Sequence, residues 1–100
     1  MFVERMVQKI APGKWDALEV LDRKYNALEG RLGFPAKRRM RVIFSGLTTD
    51  TLIVEREWDS MAALEAATMK RMMDPGSPAL EAESAGVILS VVWEVYMTLP

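Results

Sequence analysis

Residues 51–67, TLIVEREWDSMAALEAA, decide how the chain folds. Leu52, Val54 and Trp58 alternate with Ile53, Glu55 and Glu57, the two-residue period of a strand whose faces meet different surroundings. Asp59 and Ser60 follow at once, side chains that can accept from the unpaired amides of a helix's first turn. The glutamate of a full capping box is missing. Met61, Leu64, Thr68 and Met72 then recur at three- and four-residue steps, while Ala62, Ala63, Ala66 and Ala67 keep the helix narrow. A strand therefore runs into a helix with almost no loop, until Asp74-Pro75-Gly76 ends it.

Upstream, Lys37 to Ser45 alternates, with Met40, Val42 and Phe44 on one side and Arg39, Arg41, Ile43 and Ser45 on the other. Gly46 to Asp50 reads as a short hairpin loop. Setting Ser45 opposite Thr51 puts Ile43 against Ile53, Arg41 against Glu55 and Arg39 against Glu57, so every charge on that face meets its opposite. Phe2 to Ile10 is an earlier strand, with Phe2, Glu4, Met6, Gln8 and Ile10 on one side and Val3, Arg5, Val7 and Lys9 on the other. Ala11-Pro12-Gly13 breaks it. A long amphipathic helix follows, its stripe made of Trp15, Leu18, Leu21, Tyr25, Leu28 and Leu32, with Asp16, Glu19, Asp22, Arg23 and Asn26 opposite. Gly33 can close this helix in a left-handed conformation, and Pro35 cannot continue it. Downstream, Ser77-Pro78 starts a short helix that runs through Ala85 to Gly86. Residues 87–99 alternate throughout and form the longest strand signal, with Ile88, Ser90, Val92, Glu94, Tyr96 and Thr98 on one side.

The order strand, helix, strand, strand, helix with an annex, strand implies an α+β, ferredoxin-like βαββαβ arrangement, one domain over residues 1–100. Its four strands form an antiparallel sheet with both helices on one face. The other face would carry Ile43, Ile53, Ile88, Val92 and Tyr96 among its charges. Covering such side chains contributes about 1.5–3 kcal/mol each, so a second copy of the sheet, in a symmetric dimer, is the expected cover.

Composition narrows the chemistry. Thirteen basic and fourteen acidic residues among 100 leave a net charge of −1, which argues against nucleic acid or anionic membrane as partners. Cysteine and histidine are absent, removing thiolate nucleophiles, imidazole bases and the usual zinc ligands. No phosphate-binding loop, metal-ligand spacing or nucleophile elbow occurs, so no cofactor or metal is implied. Without a basic-then-apolar leader or an apolar run of about 18 residues, a cytoplasmic location is the expectation. The remaining polar constellation is Arg39, Arg41, Glu55 and Glu57, joined by Glu94 and Tyr96 if the last strand turns its even-numbered residues to the same side. It could orient a polar substrate with a glutamate as base, but mutual pairing in an interface is the stronger reading. Trp15, Trp58 and Trp93 read as core rather than as a stacking site, and Met61, Met69, Met72 and Met73 as gap-filling side chains.

Glu57-Trp58-Asp59-Ser60-Met61 with Leu64-Glu65 one turn later, and the Met73-Asp74-Pro75 break before another short helix, resemble the dimeric α/β barrel superfamily. Within it the chain is similar to NIPSNAP-like and antibiotic-biosynthesis-monooxygenase-like small proteins. The resemblance implies two ferredoxin-like subunits facing their sheets together, with ligands bound inside the barrel or between helices and sheet. The cofactor-independent monooxygenases of the superfamily use asparagine, tryptophan and arginine or histidine; here histidine is absent, which also counts against haem-binding members. Asn26, the sole asparagine, falls on the solvent side of its helix. The leading expectation is a homodimer that binds a small hydrophobic or aromatic ligand. The rival is a cofactor-independent monooxygenase or isomerase acting on a polyketide-like or aromatic substrate, with Arg41, Glu55, Glu94 and Tyr96 as its polar groups.

Overall fold

The computed structural model describes residues 1–100. In chain order the elements are β1 (Phe2–Ile10), α1 (Trp15–Arg31), β2 (Lys37–Arg41), β3 (Thr51–Trp58), α2 (Met61–Met73), α3 (Ser77–Ser84) and β4 (Ile88–Met97). All strand pairs are antiparallel, in the order β2-β3-β1-β4. This is the ferredoxin-like α+β arrangement expected from the element order. Ile10, Leu18, Leu21, Leu52, Val54 and Val87 form the core between the sheet and α1. No helix is long and apolar enough to cross a membrane.

The register of β2 against β3 differs from the expected one by three residues. Glu55 lies opposite Arg38, not Arg41, and Val54 lies opposite Arg39. An odd shift exchanges the faces of a strand, so Arg39 and Arg41 point to the helix side and Arg38 and Met40 to the open side. The cause is α1. Its Glu19 takes both terminal nitrogens of Arg39 at 3.1 and 2.8 Å, and the Trp15 ring lies 4.0 Å under the Arg41 guanidinium. Those partners exist only on the helix side. The strand correspondingly stops at Arg41, and Val42 closes the ladder with an amide bond to the Thr51 carbonyl at 3.1 Å. Ile43 and Phe44 stand in the loop beyond, 82% and 99% exposed, outside the sheet face on which Ile43 was expected. Ile88 also moves. An irregularity at Lys9/Ile10 pairs Ile88 with Ile10, turning it toward the helices.

Turn chemistry at the helix ends follows the sequence. The Ser60 hydroxyl accepts from the Ala63 amide at 3.0 Å, so Ser60 rather than Asp59 caps α2. Gly33 is left-handed, with φ 79. Its amide donates to the Gly30 carbonyl at 3.2 Å, and that of Phe34 donates to the Glu29 carbonyl at 2.9 Å, the paired bonds of a Schellman turn. This turn folds Phe34 back beside Glu29. By contrast α2 rests lightly on the rest of the chain: Leu64 is its single buried residue, and Met69, Met72 and Met73 stay exposed.

Gly33 and Gly30 separate backbone strain from helix propensity, because nothing lies within 4 Å of an added Cβ at either. Gly33→Ala is expected to cost about 1–2 kcal/mol through its left-handed backbone. Gly30→Ala, in ordinary helix, is expected to gain about 0.5–1 kcal/mol. Urea denaturation of the two variants checks both signs.

Candidate functional site: two faces of one sheet

The six polar residues singled out from the sequence do not form one site. Glu55, Glu57, Glu94 and Tyr96 lie on the open face, whereas Arg39 and Arg41 lie on the helix face with α1, as the shifted register requires. Arg5 and Arg38 stand where Arg39 and Arg41 were expected. Following the pairings across the sheet, Arg38, Glu55, Arg5 and Glu94 form one row of alternating charge over all four strands. The Glu55 carboxylate, on a residue 8% exposed, accepts from Arg38 Nη2 at 2.6 Å and from Arg5 Nε at 2.7 Å. Arg5 also lies 5.2 Å over the Tyr96 ring. Beside this row runs a second, wholly apolar one: Met40, Ile53, Val7 and Val92. Glu57 is exposed at the margin.

Hydrogen bonding from Arg38 holds the Glu55 carboxyl below its ordinary pKa; burial opposes this and Arg5 adds to it. Glu55 is therefore a weak base, already neutralised twice. Hydrogen bonding with Glu94, then burial, raises the Tyr96 hydroxyl.

On the helix face lies a cavity of about 290 Å³ between the sheet, α1 and α3, with Met72 of α2 at one side. Its floor is apolar, with Met6, Leu18, Leu21, Leu52, Val54 and Ile88; its polar wall includes Asp22, Tyr25, Glu29, Lys37, Arg71 and Ser77. None of the six expected residues lines it. A wider, more open depression of about 740 Å³ follows the β2–β3 edge, where Arg38, Glu55, Glu57 and Trp58 contribute. Burial raises the Tyr25 hydroxyl above its usual value, partly offset by hydrogen bonding with Ser84.

Sequence reading missed two groups of residues here. Glu29 Oε1 accepts from Arg56 Nη2 at 2.5 Å and Lys37 Nζ at 3.3 Å, and its Oε2 accepts from Arg71 Nη1 at 3.1 Å. Phe34, placed by the Schellman turn, lies 5.0 Å from the Arg56 guanidinium and 5.4 Å from that of Arg71. The second group is centred on Glu4, 3% exposed, whose two oxygens accept the indole N–H groups of Trp58 at 3.0 Å and Trp93 at 2.8 Å. Trp58 is core, as expected, but Trp93 remains 53% exposed and Trp15 is half-buried, donating to Asp50 at 2.9 Å. Asn26 is exposed and donates to Asp22 at 3.2 Å.

No protein-family model matches the chain, and no curated protein matches it. Solved structures do. An uncharacterized NIPSNAP domain protein from Burkholderia xenovorans superposes with a TM-score of 0.83 at 14% identity, over 99% of this chain and 95% of the other. A NIPSNAP family protein from Agrobacterium tumefaciens gives 0.79 at 17%, over 98% and 92%. An antibiotic biosynthesis monooxygenase gives 0.69 at 15%, over the whole of both chains. The chain shares their fold. The fold of the single subunit implied by the Glu57–Met61 corner and the Met73-Asp74-Pro75 break is therefore the fold observed.

The depressed Glu55 pKa has a pH signature. A carboxyl whose folded pKa lies below its unfolded value contributes stability that is present above the ordinary carboxylate range, near pH 4, and lost as pH falls through the depressed value. Glu19, lowered by Arg39, and Asp74, lowered by Arg31, act in the same window. Glu55→Gln is expected to reduce the fall in urea midpoint between pH 6 and pH 3 relative to the parent protein. An unchanged fall would show that the carboxylate contributes nothing there.

Proposed function

We propose that the protein is a homodimer joined through the open sheet face and that it binds a small apolar or aromatic ligand in the helix-side cavity. The observation that carries the dimer is the pair of rows on the open face. Met40, Ile53, Val7 and Val92 present a continuous apolar band, and Val92 is 56% exposed in the single chain. Covering such side chains is worth about 1.5–3 kcal/mol apiece. The neighbouring row has two arginines and two glutamates, so an interface could bury it without an excess charge.

The cavity supports the ligand half. Its size approaches the lower end of small-molecule sites, and its apolar floor with a few convergent polar groups is the usual composition of one. The oxygenase or isomerase alternative loses its constellation, because Arg41 lies across the sheet from Glu55, Glu94 and Tyr96.

Two measurements test the two halves. Val92→Glu is expected to convert a dimer at micromolar concentration to a monomer by light scattering, with the circular dichroism spectrum unchanged. A parent protein that is itself monomeric there sinks the dimer. For the cavity, 2-naphthol is expected to bind saturably and Val91→Trp to weaken it at least tenfold; equal binding by the variant would place the ligand elsewhere.

A further inference from the structure

The charged row on the open face is paired in its middle and incomplete at its ends. Glu55 holds Arg5 at 2.7 Å and Arg38 at 2.6 Å, yet the Arg38 side chain remains 72% exposed, and Glu94 makes no salt bridge within the chain. Arg38 and Glu94 have opposite charge but cannot reach each other. They stand on the outer strands β2 and β4, with β3 and β1 between, and three strand spacings amount to about 14 Å. The row therefore runs plus, minus, plus, minus from β2 to β4, with one open charge of each sign. Alongside it runs the apolar row Met40, Ile53, Val7 and Val92, and beyond that Thr51, Lys9 and Ser90.

From this pattern we infer that two copies pair about a two-fold axis parallel to the strands, between β1 and β3, so that each Arg38 meets the partner's Glu94. This rests on the open-face dimer and names its geometry. A two-fold axis that sets two sheets face to face lies in the plane between them. Parallel to the strands, it reverses their order and keeps each row in place. Arg38 then faces the partner's Glu94, Glu55 faces the partner's Arg5, and the apolar row lies on its own copy. Facing sheets stand about 10 Å apart, a gap that an arginine and a glutamate span together. An axis across the strands fails wherever it is placed on these rows. Over the charged row it sets each charge on its own kind, and over the apolar row it sets Arg5 on the partner's Lys9. Between the two it sets charges on aliphatic side chains, and a buried charge without a partner is strongly destabilising. An oblique axis crosses the rows with the same fault.

Site-specific cross-linking reads the axis, because the chain has no cysteine of its own. Arg38→Cys and Glu94→Cys are mixed in equal amounts, at a concentration where sedimentation shows the dimer, and treated with a short bis-maleimide. The mixture is expected to give at least tenfold more cross-linked dimer than either variant alone. Cross-linking as strong in one variant alone, or none in any sample, would overturn the axis while leaving the open-face dimer standing. A second measurement reads the contact itself. Arg38→Gln and Glu94→Gln should each raise the dimer Kd at least fivefold, and the double variant should exceed the larger single effect by no more than about twofold, with circular dichroism showing each variant folded. Single effects that multiply would overturn the contact. If the parent protein is monomeric at micromolar concentration, or forms a dimer that survives Val92→Glu, the open-face reading and this inference fall together.

Discussion

The Glu29 carboxylate is the tie on which the other elements depend. It sits in the last turns of α1 and reaches Lys37 at the start of β2, Arg56 in β3 and Arg71 near the end of α2. Taking such charges out of water costs several kcal/mol per ion, and the arrangement persists because each charge has partners at hydrogen-bond distance. The local backbone contributes: the left-handed Gly33 reverses the chain so that Phe34 packs beside both arginines. α2, which buries only Leu64, is held to α1 by Arg71 on Glu29 and by the two-pronged contact of Arg31 with Asp74 at 3.0 and 3.2 Å.

Elements with a clear period were legible in the sequence. The seventeen residues of α1, the β3-to-α2 corner with a cap at Asp59 or Ser60, the Gly33 stop and a short α3 all follow from local chemistry, although Ser77, read as the cap of α3, is its first helical residue and Gly76 precedes it. The β2–β3 register was not legible, because both registers pair arginine with glutamate: Arg41 with Glu55 in one, Arg38 with Glu55 in the other. The choice depended on Glu19 and Trp15, distant in sequence, which draw Arg39 and Arg41 to the helix side. Ile88 was misplaced for a similar reason, since a bulge has no signature in an alternating run. Arg56 could have been noticed. It shares a face with Leu52, Val54 and Trp58, and a charge on an apolar face requires an opposite partner nearby. Glu29, beside Leu28 at the edge of the α1 stripe, was the available carboxylate.

The sheet separates two kinds of surface. Its open face alternates charge along one row and is apolar along the next, a pattern suited to self-pairing. Its helix face combines an apolar floor with a wall of paired acidic and basic side chains. The candidate residues drawn from the sequence mixed the two, because alternation along a strand identifies faces only after register is known.

A double-mutant cycle on Glu29→Gln and Arg56→Met, read by urea denaturation, tests the tie most directly. The account predicts single losses that fail to add, with a coupling energy of about 1.5–3 kcal/mol, since each partner's loss strands the other in the interior. Losses that add to within about 0.5 kcal/mol would show that Glu29 and Arg56 act independently and would contradict it.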